Sequence, residues 1–173
     1  MNLLTLADGF DCLVKAFARI ACWSTALLMA VIICNVIMRY GFNNGLILFE
    51  EIQWHLYAIG IMFGLSYAEL TNSQVRVDVV ASKLKPHTMI KWEIFGTVVF
   101  VFPLVFVFVF NSLDYVANSF ALNERSSSPL GLPYRWAIKA VIPISFTLLG
   151  LAASSRLIRN IHTLCTKEQN HGH

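Results

Sequence analysis

Of 173 residues, 57% are hydrophobic and only 13% charged, with a net charge of +3 and a mean hydropathy of +0.63. A soluble domain of this length needs more polar side chains to cover its outside, and here Lys, Arg, Asp and Glu fall almost entirely in the breaks between apolar runs. The breaks predict one all-α integral membrane domain over residues 1–173. It has four transmembrane helices, an amphipathic N-terminal interfacial helix and a short interfacial connecting helix.

From about residue 3 to 18, Leu3, Leu6, Phe10, Leu13, Val14 and Phe17 follow helical spacing, with Asp8, Asp11 and Lys15 on other faces and Arg19 just beyond. This pattern predicts a helix lying along the membrane surface. Asp8 and Asp11 are unlike the basic start of a secretory signal peptide, so the first span is expected to stay in the mature protein. Span one, about 20–38, is uncharged and long enough to cross a hydrocarbon core. Arg39 follows it, a turn comes at Asn43, Asn44 and Gly45, and Glu50 and Glu51 open span two, about 52–68. Carboxylates there suit the positive end of a helix dipole.

In span one Cys22, Ala26, Ala30 and Cys34 recur at every fourth position, as do Gly60, Gly64 and Ala68 in span two. Small residues so spaced let helix backbones approach in lipid, so Ala26, Ala30, Gly60 and Gly64 are candidate packing positions. Either the two stripes face each other, or small residues are simply frequent in membrane helices.

The polar connection from Glu69 to Trp92 reads as a surface helix rather than a strand, because an isolated strand at a membrane surface leaves its backbone hydrogen bonds open. It carries Arg76 and Asp78, which suit a partner contact or a solvated interfacial face. Span three, about 92–114, contains Pro103, which removes a backbone donor, crowds the carbonyl of Val99 and is expected to kink the helix. Next comes an irregular, exposed loop with Glu124, Ser126, Gly131 and Pro133. Span four, about 136–155, has Lys139 near its entrance, where a long side chain can snorkel to the headgroups. The remainder, 156–173, is a polar tail.

Nine basic residues on the side of the termini against four on the other place both termini in the cytoplasm by the positive-inside rule. The positive charge thus reflects membrane topology and gives no reason to expect nucleic acid. The cysteines form no CxxC pair and His55 is the one histidine within a span, so no metal, haem, other cofactor or catalytic group is expected. The span centres carry no charge, unlike those of an ion-coupled transporter. The chain therefore reads as a helper that lends helices to a larger partner.

Arg39, Glu50 and Glu51 form either an ion-pair cluster that meets that partner, with one glutamate facing the arginine, or a snorkelling arginine beside two helix-start carboxylates. In the first case Arg39 at a desolvated interface is worth about 3 kcal/mol. Trp54, Trp92 and Trp136 fit an interfacial aromatic belt. A self-sufficient oligomeric transporter and a membrane enzyme are the other classes open to such a chain. The first needs a polar pathway built from rim residues, and the second a buried acid, base or metal set.

The stretches NVIMRYGFNNGLILFEEIQWHLY at 35–57, QVRVDVV at 74–80 and ERSSSPLGLPYRWAIKAVIP at 124–143, in this order within a four-span frame, resemble the small, DctQ-like membrane subunit of tripartite ATP-independent periplasmic (TRAP) transporters. Gln74 departs from the histidine often found there. The resemblance implies a scaffold subunit in a bacterial inner membrane that binds a large, sodium-coupled, elevator-type membrane subunit. A periplasmic substrate-binding protein delivers an organic acid to such a system. The resemblance sets Arg39, Glu50, Glu51, Trp54, Arg76, Asp78, Glu124, Ser126, Gly131 and Pro133 as partner-interface candidates.

Overall fold

The computed structural model describes residues 3–43, 45–74, 86–126 and 132–170, and every regular element among them is helical. The elements are α1 (Leu3–Gly41), α2 (Ile47–Leu70), α3 (Pro86–Gly96), a π-helical turn (Thr97–Val101), α4 (Phe102–Ala121) and α5 (Arg135–Asn170). Three stretches, Leu4–Gly41, Thr88–Ala121 and Arg135–Leu164, are long and apolar enough to cross a membrane. α2 is not among them, because Gln53, His55 and Glu69 lower its apolarity. Residues 75–85, which include Arg76, Asp78 and most of the expected connecting helix, lie outside the described residues.

Contacts along the helices fix their directions. Arg39 meets Glu50, Gly60 lies against Ser24 and Thr25, and Phe17 packs edge-on to Phe63 at 5.1 Å, so α2 runs back along α1. α2 and α5 run parallel: Glu51 bonds Leu132 just before α5, Ser66 Oγ–H donates to the Ser145 carbonyl at 3.0 Å, and Glu69 meets Arg156. α4 is antiparallel to α5, with Phe108 stacked on Phe146 at 4.4 Å and Val105 beside Gly150. The result is an up-down-up-down bundle around Val14, Ala21, Phe63, Leu148 and Ala152. The outward side chains of α4, such as Phe106, Phe110 and Leu113, are left exposed, as suits a lipid-facing surface.

Two expected boundaries are absent. The surface helix at 3–18 and span one are a single helix, because no proline or glycine lies between Gly9 and Gly41 and one buried stripe, Ala7, Val14 and Ala21, continues from the first part into the second. The polar tail is likewise helical through Asn170, and its beginning, at Ser155 and Arg159, packs on the beginning of α1. Ser155 Oγ–H bonds the Ala7 carbonyl and the Asp11 carboxylate there. Pro103 acts through the turn before it. The Phe102 N–H bonds the Thr97 carbonyl five residues back, and this wider turn accommodates the missing donor.

α1, α2 and α4 are each followed by an asparagine in the left-handed region: Asn43 (φ 51), Asn72 (φ 57) and Asn123 (φ 45). Asparagine tolerates this conformation better than most residues. After α2 and α4 the paired bonds of a Schellman cap close the end, Asn72 N–H to Glu69 O with Ser73 N–H to Ala68 O, and Asn123 N–H to Phe120 O with Glu124 N–H to Ser119 O.

The two glycines of α2 differ in surroundings. A Cβ at Gly60 would stand 3.0 Å from Thr25 Oγ1 and 3.5 Å from Ser24 Oγ, so α1 and α2 approach closely here; a Cβ at Gly64 would meet nothing within 4 Å. Ala26 and Ala30 do not meet Gly60 or Gly64. They sit on the exposed side of α1, because the face turned to Gly60 is that of Ala21, Ser24 and Thr25. Gly60→Leu is therefore expected to force the helices apart and destabilise the chain by about 1–3 kcal/mol, whereas Gly64→Ala leaves stability nearly unchanged. Thermal unfolding of both variants in detergent checks this; equal midpoints would contradict the assigned contact.

Candidate partner-binding rim

One end of the bundle gathers the hairpin tip between α1 and α2 and the loop between α4 and α5. Adjacent glutamates of α2 point about 100 degrees apart and take different partners. Glu50 lies 3.8 Å from Arg39, and both side chains are more than half exposed (54% and 62%). An ion pair so placed is worth at most about 1 kcal/mol, so within this chain it falls short of a desolvated cluster. Glu51 turns instead to the loop. Its Oε1 accepts from Ser126 Oγ–H and its Oε2 from the Leu132 N–H at 2.6 Å.

These bonds gather the neck of the loop. Ser126 N–H donates to the Leu132 carbonyl at 3.3 Å and Arg135 N–H to the Glu124 carbonyl at 3.2 Å, so the strands of the neck run side by side before α5 begins. The bonds from Ser126 and Leu132 hold the Glu51 carboxyl below the usual carboxylate range. Glu51 also fixes the entry to α2, where its own carbonyl contacts His55 Nδ1 at 2.6 Å. A polar cleft of about 300 Å³ opens here, bounded by Glu50, Glu51, Trp54, His55, Ser126 and Arg135. Trp54 stands 71% exposed with its edge on Tyr57, and Pro133 is exposed beside the neck. Gly131 lies outside the described residues.

Glu124 is the second organising carboxylate. Ser119 Oγ–H donates to it at 2.7 Å from α4, Lys139 reaches it from α5, and Arg135 stands 3.8 Å away. The Lys139 and Ser119 hydrogen bonds hold its carboxyl below the usual range. Lys139 also lies over the Tyr115 ring, 3.9 Å from its centre, a cation–π contact. Lys139 is thus engaged inside the rim rather than reaching for headgroups. A signal in the sequence existed: a lysine near the positive end of α5's dipole calls for a nearby anion.

The opposite end holds an ionic cluster that local sequence reasoning did not find. Arg156 donates to Glu69 at 2.7 Å and lies 3.4 Å from Glu93, which also accepts from Asn160 Nδ2 at 3.1 Å. Glu69 is only 5% exposed and accepts a further bond from Gln74. Beside it Arg159 bonds Asp8 and Asp11, each at 2.7 Å. Glu69 is in the last turn of α2, where the dipole disfavours an anion, and that misplacement was the available clue to a dedicated cation. Among the described residues no group of His, Cys, Asp and Glu could hold a metal ion.

Apolar helices with their charges gathered at the two ends define an integral membrane protein. The chain matches the family described as tripartite ATP-independent periplasmic transporters, DctQ component, over residues 28–163, and it belongs to that family. It is also similar to a Haemophilus influenzae protein named "Putative TRAP transporter small permease protein", with 28% identity over 144 residues, 83% of this chain and 86% of the relative. No solved structure matches it. The chain is thus a transporter component and not an enzyme.

Two outcomes follow from these contacts. Arg156→Ala leaves Glu69 buried without its cation and is expected to lower stability by about 3–5 kcal/mol, while Arg156→Met combined with Glu69→Met recovers most of the loss; denaturant titration of the three proteins decides it. The depressed carboxyls of Glu51 and Glu124 contribute stability that is present above the ordinary glutamate range, near 4.5. It is lost as pH falls through their lower folded values. Protease cleavage of the 122–134 loop should accelerate on that acidification, and Glu51→Gln should already show faster cleavage at neutral pH.

Proposed function

We propose that this small TRAP subunit is a stationary scaffold of four membrane spans with both termini cytoplasmic, and that it holds a large elevator-type subunit while that subunit carries sodium and an organic acid. The observation that carries the reading is the uncharged middle of the bundle. No Asp, Glu, Lys or Arg occurs between Arg19 and Arg39, Glu51 and Glu69, Glu93 and Asp114, or Lys139 and Arg156. A solute or ion pathway of its own needs polar or ionisable groups at those depths. Four spans are supported by α2, whose 24 residues, about 36 Å, run between the same two ionic ends as its neighbours.

In this reading the rim of Arg39, Glu50, Glu51, Trp54, Glu124, Ser126 and Pro133 faces the periplasm, beside a docking substrate-binding protein. The expected contacts of Arg76, Asp78 and Gly131 belong to the same proposal. The exposed Ala26 and Ala30 are available to a helix of the large subunit, since small residues permit close approach in lipid.

Reconstitution tests the scaffold role. Uptake in liposomes is expected with this chain, the large subunit and the binding protein together and to be lost without this chain; uptake by this chain alone overturns the reading. Orientation is checked in a background without native cysteines. A cysteine at Asn123 should react with an impermeant reagent from the periplasmic side, and one at Thr163 only after the membrane is opened.

A further inference from the structure

We propose that the cleft between α1 and α2 on the side of Lys15 and Arg19 is a binding site for one anionic phospholipid, with the phosphate on the two cations and an acyl chain lying over Gly64. Lys15 and Arg19 are one helical turn apart on α1, both exposed, and neither has an ion-pair partner among the described residues. The nearby carboxylates of Asp8 and Asp11 are turned to Arg159. This local group thus has three cations against two carboxylates and can accept a negative charge.

The two cations line a cleft of about 490 Å³ together with Tyr67 and small residues including Ala21, Cys22 and Gly64. Its size lies in the range of small-molecule sites, about 300–1,000 Å³. The cleft lies where the close α1–α2 contact at Gly60 gives way, one turn along α2, to open space over Gly64. Its depth relative to the membrane follows from the sequence: α1 is uncharged from Ile20 to Met38, so Arg19 marks the boundary where headgroups lie. Cations at headgroup level above an apolar trough match a lipid with a charged head and a hydrocarbon chain. A free phosphate uses only the upper half. Basic pockets between membrane helices are known headgroup sites in general.

The test uses the full chain in a neutral detergent, with thermal stabilisation and retention of lipid by native mass spectrometry as readouts. Phosphatidylglycerol should stabilise and be retained, while phosphatidylcholine and inorganic phosphate should not. Lys15→Gln with Arg19→Gln should bind phosphatidylglycerol roughly thirtyfold more weakly, each cation at an anionic surface being worth about a factor of five. Gly64→Leu, which keeps both cations and fills the trough, should weaken it as well, with Cys22→Leu as a second filler if the first does not fold. Arg125→Gln removes an exposed cation at the other end and should leave phosphatidylglycerol binding unchanged. Phosphatidylglycerol binding that is absent from the wild type, or that is unchanged in the double variant, overturns the proposal. So does stabilisation reproduced by inorganic phosphate and insensitive to both fillers.

Discussion

Hydrocarbon does not solvate a charge, and the placement of charged side chains in this chain follows from that constraint. Each helix leaves its middle to uncharged residues, so the ionic fastenings between helices must be made at the two ends. At one end Glu51 and Glu124 join α2, α4 and α5 through the loop neck; at the other, Arg156 and Arg159 join α5 to α1, α2 and α3. Between them the bundle relies on close contact. Gly60 lies against Thr25, Phe108 stacks on Phe146, and Ser66 makes a hydrogen bond to a backbone carbonyl.

The two ends differ in how firmly they are built. The cluster around Arg156 is largely withdrawn from solvent, with Glu69 buried and Arg156 18% exposed on its side chain, and it uses the fork of a guanidinium to bridge two carboxylates. The rim at the other end is more open, and its carboxylates bond a serine hydroxyl, a backbone amide and a lysine. Such a surface has defined shape yet retains water-accessible polar groups, a combination found where proteins meet and separate.

Much of this was legible in the sequence because the signals are local. Apolar length gave the membrane class, Asn43 and its neighbours gave the hairpin tip, and Pro103 gave an irregularity in the third span, though as a π-helical turn before the proline. The continuity of α1 was not legible, since Arg19 at a membrane boundary looks the same whether the helix bends there or runs on. The helical end of α5 was hidden for a related reason. Its polar residues 156–170 resemble a tail until Asp8 and Asp11, more than a hundred residues earlier, supply the partners of Arg159. Periodicity identified small-residue stripes but not which of them meet, because the rotation of one helix about its axis is set by the neighbour. Glu51 and Glu50 show the same limit: both were candidates, and only the fold distinguishes the one bound to the loop from the one in solvent.

The unbroken α1 has a mechanical consequence. Thirty-nine residues in one helix make a rod of about 58 Å, nearly twice the thickness of a hydrocarbon core, about 30 Å. Its first turns are bound to Ser155 and Arg159 in the second half of α5, so the two helices are stiffened against each other there. A tilt of the whole bundle by about ten degrees moves the far end of such a rod by roughly 10 Å. Small changes in bilayer thickness or in the seating of a neighbouring subunit are thereby magnified into displacement at the projecting end.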